Sequence, residues 1–265
     1  MRGPTLHRIR VFPIKSLEGL TLESVAITQG GTLEWDRCLR MVDADGKVIN
    51  GKRTAAVHRI RVRYDLETQR VELAHQGQED WESFALEAED PGLAAWLSEA
   101  LEMPVMLQHD ARHGFPDDPD RPGPTVIGTA TLELVASWFP GLSLEQARRR
   151  FRANLEIAGL PPFREELLGL PPDAGRPFRI GELELIGLKP CKRCVVPTRN
   201  PETGESWRGF QKVLVERRRT LHPDWLPREF YPHHYLLALN TRIAPDQAGK
   251  VLRAGDRFEA PTLGD

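Results

Sequence analysis

Short apolar runs that alternate with polar residues, each cut off by a tight turn signal, constrain the fold of this chain more than any other feature. Neighbouring side chains of an extended segment point to opposite faces, so such alternation marks a half-buried strand. Ile60, Val62 and Tyr64 alternate with arginines, and a polar turn leads back through Val71 and Leu73, which reads as a hairpin. Residues 39–42 and the pair Val48 and Ile49 flank Asp43-Ala44-Asp45-Gly46, a second hairpin signal. Val25 and Ile27 alternate likewise, and residues 11–13 close a short strand that runs into the loop 14–19. Further on, residues 155–157, 178–180 and 183–186 read as strands, the last two joined by Gly181-Glu182. Val251 and Phe258 flank the turn Ala254-Gly255-Asp256.

Helical signals are few. Asp90 is placed to cap a helix with Pro91 at its first position, and Leu93, Trp96, Leu97, Ala100 and Leu101 form its apolar stripe before Pro104 stops it. Ser143 and Gln146 fit a capping box that starts a helix through Arg149, the one clear helix expected in the second half. The Pro- and Asp-rich stretch 114–124 reads as a loop near a domain boundary. The expectation is an α+β fold, mostly β, with barrel-like sheets and no doubly wound α/β layer. We place an N-terminal β-rich domain at 1–103 and a second, β-barrel-like domain at 104–265.

Composition narrows the partners. A formal net charge of −2 gives no global attraction to nucleic acid or to an anionic membrane, so neither is expected as a partner. The most apolar stretch, 126–144, is broken by Glu133, Pro140 and Gly141, too soon for a membrane span of about 20 apolar residues. Residues 1–12 lack the apolar core of a secretory signal, and three cysteines make no disulfide framework. A cytoplasmic location is expected.

Two of those cysteines form the pair Cys191-Lys192-Arg193-Cys194. Cations beside a thiol favour the thiolate, which is both the nucleophile and the metal-ligating form. On spacing alone the pair fits half a zinc site, a redox motif or two buried thiols, although no second pair and no βαβ context support the first two. Its company is more telling. Arg150 and Arg152, read as neighbours on one strand face, would grip an anion, and Pro13-Ile14-Lys15-Ser16 and Asp36-Arg37 add polar groups. His222 is a weak candidate for substrate contact or proton transfer, while the adjacent His233 and His234 read as surface or loop residues. The runs 148–150 and 217–219 read as solvated helix faces, except where Arg150 or Arg152 reaches a ligand.

In order and spacing these motifs, with 125–131, Arg150-Phe151-Arg152-Ala153-Asn154, Pro201-Glu202-Thr203-Gly204 and Ala254-Gly255-Asp256, resemble the MOSC (molybdenum cofactor sulfurase C-terminal) domain proteins that carry an N-terminal β-barrel domain. The branch most similar is the amidoxime-reducing component and its bacterial relatives. The resemblance implies a molybdenum–molybdopterin cofactor whose metal is ligated by Cys194, the catalytic residue. It implies cofactor binding by Lys15, Ser16, Arg37, Arg152, Asn154 and Arg193 beside Cys194. It further implies an oxidoreductase that reduces a small N-hydroxylated molecule and draws electrons from an external donor protein. The alternative it leaves open is a sulfur carrier holding a persulfide on Cys194.

Overall fold

The computed structural model describes residues 3–261. In chain order the strands are β1 (Thr5–Val11), β2 (Leu20–Leu22), β3 (Ser24–Ala26), β4 (Leu39–Val42), β5 (Ile60–Asp65), β6 (Arg70–His75), β7 (Glu82–Ala85), β8 (Met106–His109), β9 (Val126–Gly128), β10 (Leu155–Ala158), β11 (Arg176–Ile180), β12 (Leu183–Lys192), β13 (Leu236–Arg242), β14 (Val251–Arg253) and β15 (Phe258–Glu259). The helices are α1 (Pro91–Leu101), α2 (Thr129–Ser137), α3 (Leu144–Phe151) and α4 (Phe210–Thr220). The fold is α+β and mostly β.

An eight-stranded sheet runs in the order β15-β11-β12-β13-β9-β10-β1-β2, antiparallel except where β9 meets β10. Its first and last members come from opposite ends of the chain. A bulge in β1 explains how the sequence Thr5-Leu-His-Arg-Ile-Arg-Val11 serves one apolar face. The register against β10 shifts between Leu6 and Arg8, which brings Leu6, Ile9 and Val11 onto the buried side. They join Leu155, Ile157, Leu183, Leu185, Leu239 and others in the core of this sheet. A second core, around Ile14, Leu39, Met41, Val71, Leu73 and the α1 residues Leu93 and Leu97, is covered by the sheet β5-β6-β7 and the pair β4-β8. The chain crosses between these layers more than once. β8 returns to pair with β4, and β3 pairs with β14.

The expected hairpins form at β5-β6 and at the Val42–Val48 bridge, and α1 is capped by Asp90, whose side chain accepts from the Leu93 amide. The expectation of one helix in the second half needs correction, because α2 and α4 also form there. Both start at a glycine with no side-chain cap, Gly128 and Gly209, so no local signal announced them. They form because Leu132, Val135, Phe210 and Leu214 bury against Ile127, Phe151 and Leu237 in a third core.

Beneath that core lies a buried carboxylate pair, Glu165 and Glu166, on a 3-10 turn (Arg164–Gly169). Burial and the neighbouring Glu166 push Glu165 up to about 7 from 4.5. Folded protein therefore holds a proton there that unfolded protein releases. This contribution is complete below about pH 4.5 and is lost as pH rises through about 7, amounting to roughly 3 kcal/mol. Urea melts across that window should show Glu165→Gln flattening the fall in stability; an unchanged slope would assign the titration elsewhere.

Candidate functional site

The two ends of the site come from opposite cores. Lys15 and Ser16 follow β1 in a turn, Arg37 precedes β4, and Arg152 and Asn154 lie between α3 and β10. Arg193 and Cys194 follow β12, on the segment that pairs with β13. All seven line one cavity of about 570 Å³. Nine lysines and arginines border it against three aspartates, so it is cationic although the chain is not. The local basic site that a slightly acidic chain must concentrate is here.

Backbone strain gathers at the same place. Ser16, Arg37 and Arg152 adopt left-handed φ of 78°, 54° and 51°. Non-glycine residues held there cost about 1–3 kcal/mol each and persist where surrounding contacts over-determine them. Phe12 supplies much of that determination. Its fully buried ring carries Arg152 at 4.0 Å, Arg37 at 5.2 Å and Arg10 at 5.6 Å from the guanidinium carbon to the ring centre. Asp36 braces both neighbours, accepting from the Phe12 amide at 3.0 Å and pairing with Arg37. Phe12 was not among the residues that sequence reasoning selected. Only its place beside Pro13-Ile14-Lys15-Ser16 hinted at it.

Charge in the cavity is set by burial and close pairs. Burial pushes Arg152 down to about 10, with Glu18 opposing and Arg37 and Arg10 adding to the shift. Burial would lower Arg37 too, but Asp36 and Asp117 more than offset it and raise its pKa. His58 is pushed down to about 4 by burial, then by Arg152 and Arg199, so at neutral pH it is an uncharged hydrogen-bonding ring. Cys191 lines the cavity with Cys194, and its Sγ accepts from Arg193 Nη1 at 3.3 Å. Arg193 also donates to the Phe151 carbonyl, and Tyr235 donates to the Cys194 carbonyl at 3.1 Å. These contacts fix the cysteine segment, and both cysteines line the cavity.

Two family models match the chain. One for the MOSC N-terminal β-barrel domain matches residues 3–104, and one for the MOSC domain matches residues 126–258. The chain belongs to the MOSC-domain family. No curated protein matches it. Among solved structures, a hypothetical protein is similar at 12% identity and a TM-score of 0.41, over 97% of this chain and 69% of that one. The YUAD protein from Bacillus subtilis is similar at 10% identity and a TM-score of 0.36, over 97% of this chain and 94% of that one. Likeness at that level carries no argument about the site.

Three expectations about the MOSC site change with the geometry. Arg150 and Arg152 do not share a strand face: Arg150 lies in the last turn of α3 and Arg152 is its C-cap. The capping box carries the helix two residues past Arg149, since Phe151 packs into the third core. Arg150 instead donates to the carbonyls of Pro197 and Arg199, while Arg152 donates to the Leu17 carbonyl at 2.8 Å. They meet at one cavity from different directions. Asn154 also differs from a free ligand-binding group. Its amide donates to the Arg10 carbonyl and its oxygen accepts from the Thr125 amide, so it ties β1 to the entry of β9. His222 is no proton shuttle toward the cavity. It is buried against Tyr231, and its Nε2 lies 2.6 Å from the Leu226 carbonyl.

The loop 114–124, expected as a boundary, forms a wall of the cavity. It is fastened at its start, where the Phe115 amide donates to the Arg37 carbonyl at 2.9 Å. Gly114 there has φ +60°, and a Cβ would stand 2.6 Å from the Asp36 carbonyl oxygen, so the close approach requires glycine. Lys15 Nζ has three N–H donors, and the loop supplies three acceptors: the Phe115 carbonyl at 2.7 Å, the Pro116 carbonyl at 3.1 Å and Asp117 Oδ1 at 3.1 Å. Burial lowers Lys15 and Asp117 opposes that shift. Burial opposes the charge on Asp117 as well, yet Arg37 and Lys15 hold its carboxyl far below the usual carboxylate range. Asp117 therefore stands where an incoming anion would meet Lys15. Asp117→Asn is expected to tighten inorganic phosphate binding by roughly tenfold in calorimetry. Equal or weaker binding would place the anion elsewhere in the cavity.

Proposed function

We propose that this MOSC-domain protein is a molybdenum-cofactor-dependent reductase of small N-hydroxylated molecules, with Cys194 as the protein's ligand to the metal. The observation that carries this reading is that Cys194 lines a cationic cavity in which no set of protein side chains is gathered to complete a metal site. Among the described residues, no group of three or more His, Cys, Asp and Glu is gathered to hold an ion. A metal on Cys194 would need its remaining ligands from a cofactor, and the pterin's dithiolene and terminal phosphate suit a soft metal and a cationic wall.

The residues present fit that group. Arg150 Nε, Arg193 Nε and His58 Nε2 are buried with no hydrogen-bond partner, so polar capacity at the cavity is unfilled. In this proposal the N-terminal unit (1–103) supplies Lys15, Ser16 and Arg37 to the phosphate, and the MOSC unit (104–265) supplies Arg152, Arg193 and Cys194. Asn154 acts through the backbone it joins. When bound, the cofactor supplies two-electron and oxygen-atom chemistry, while the protein positions it and tunes its charge. The arginines exclude competing cations and hold the anionic end away from the thiol. An external protein donates the electrons in the cytoplasm. Among the described residues no helix is long and apolar enough to cross a membrane.

Sulfur carriage on a Cys194 persulfide is the second reading, favoured by the presence of Cys191 on the same cavity wall. Metal and pterin analysis of protein made in a host that produces the cofactor separates the two. Near-stoichiometric molybdenum and pterin, with viologen-driven reduction of hydroxylamines or amidoximes, is the expected result. Protein that holds neither, but carries a labile extra sulfur on Cys194, would overturn the reductase reading.

A further inference from the structure

A second cavity, of about 440 Å³, adjoins the first and shares Ser16, His58 and Arg152 with it. Cys194 lines the first and not the second, so this space extends the site on its Arg152 side. Its outer wall comes from the N-terminal sheet. Arg61 and Arg63, two apart on β5 and therefore on one face, bring their guanidinium carbons to 4.7 and 3.8 Å from the Trp81 ring centre. Arg149 and Arg152 make four lining arginines against two carboxylates, Glu18 and Glu202. Both carboxylates are already held by Arg149, at 3.1 and 2.6 Å. Arg61 and Arg63 face Glu79 and Glu72 at 3.2 and 4.0 Å, so Arg152 is the lining arginine without an ion pair among the described residues, and Trp81 adds a planar aromatic wall.

Two ring nitrogens on its wall have no partner. Trp81 Nε1 and His58 Nε2 are buried without a hydrogen bond. A buried polar group left unmade costs about 1–3 kcal/mol, so two on one wall point to a ligand that satisfies them. His58, with its pKa near 4, stays neutral and suits the polar edge of an uncharged ring better than a phosphate.

We propose that this cavity is a nucleoside-phosphate subsite, with the phosphate at Arg152 and Ser16 and the base against the Arg63–Trp81 platform. An inorganic anion would use the arginines and leave the aromatic wall and both ring nitrogens idle. An apolar molecule would leave Arg152 and both ring nitrogens unanswered. A nucleotide engages all three, because every base has a π-face and a hydrogen-bonding edge. The inference shares Ser16 and Arg152 with the cofactor site of the reductase reading, and the platform variants below test it apart from that reading.

Calorimetric titration of the full chain, made in a host that lacks the pterin cofactor, tests it with guanosine monophosphate, cytidine monophosphate and inorganic phosphate. The nucleotides are expected to bind at least roughly tenfold more tightly than phosphate, the scale of one stacked base. Trp81→Ala and Arg63→Gln should each remove that advantage, with thermal melts confirming that the variants fold. Should Trp81→Ala unfold, Arg63→Gln on the exposed strand carries the test. Nucleotides that bind no better than phosphate, or an advantage that survives in the folded variants, would overturn the proposal. Nucleotide analysis of acid-treated protein from a cofactor-producing host then identifies the source. Nucleotide equal to pterin assigns a tail on a bound pterin, and pterin without nucleotide assigns a free nucleotide.

Discussion

Under the proposed function, protein carrying Cys194→Ser is expected to hold no molybdenum and show no viologen-driven turnover, while keeping its fold. Cys194 is half-buried in the loop after β12, and serine differs from it by one atom, so stability should change by no more than about 0.5 kcal/mol. A serine hydroxyl is a hard ligand that stays protonated where a thiol ionises, so it cannot replace the soft thiolate. Removing a merely supporting partner of a metal site costs roughly 10–100-fold, and losing the protein's own ligand should exceed that. Cys191→Ser is the control. Cys191 lines the same cavity but contacts Arg193, so its variant should keep most of the metal. Metal analysis that finds molybdenum retained in Cys194→Ser and lost in Cys191→Ser would reverse the assignment.

The largest stability effect is expected at Arg218. It is fully buried on α4, and its Nη2 lies 2.6 Å from Glu166 Oε2, which also accepts from Tyr231 at 2.7 Å. The guanidinium sits 3.9 Å from the centre of the Phe163 ring. Arg218→Met removes the ion-pair partner of the buried Glu166 and leaves the Tyr231 hydroxyl as its donor, a change that costs about 3–5 kcal/mol. Against the roughly 5–15 kcal/mol that holds a domain folded, this is a large share. The double variant Arg218→Met/Glu166→Gln should recover most of the loss, because it removes both charges and keeps the volume. Denaturant melts decide the matter. A single-variant loss below about 1 kcal/mol would mean that water reaches the pair. The pair also bears on the site, since the 3-10 turn packs against β12 and β13 and α4 shares a core with Leu237 of β13, and Cys194 follows β12.

Arg218 shows where reading a sequence stops. Within Arg217-Arg218-Arg219 nothing local separates a buried arginine from its solvated neighbours, because its partner Glu166 is 52 residues away. The capping residues Asp90 and Ser143, by contrast, act within three residues of themselves, and both helices they start were legible. The same divide runs through the site. Motif order drew attention to Lys15, Ser16, Arg37, Arg152, Asn154, Arg193 and Cys194, and the fold sets them around one cavity. It could not show that Asn154 faces backbone, that the 114–124 loop fills every donor of Lys15, or that Phe12 stacks three arginines.

The alternation of apolar residues, the caps and the turn signals determined that this chain would be mostly β with few helices, since those preferences depend on neighbours along the chain. The cysteine pair and its cations determined which residues to look at. Only the tertiary structure decided what they do together. The large sheet joins β1 to β10 and a separate pair joins β4 to β8, each across more than sixty residues, and these pairings bring Lys15, Arg37, Arg152 and Cys194 to one space. Burial there then sets their charge. A cationic pocket in a slightly acidic chain is a property of that packing, because Coulomb forces and desolvation depend on distance in space and not on distance along the sequence.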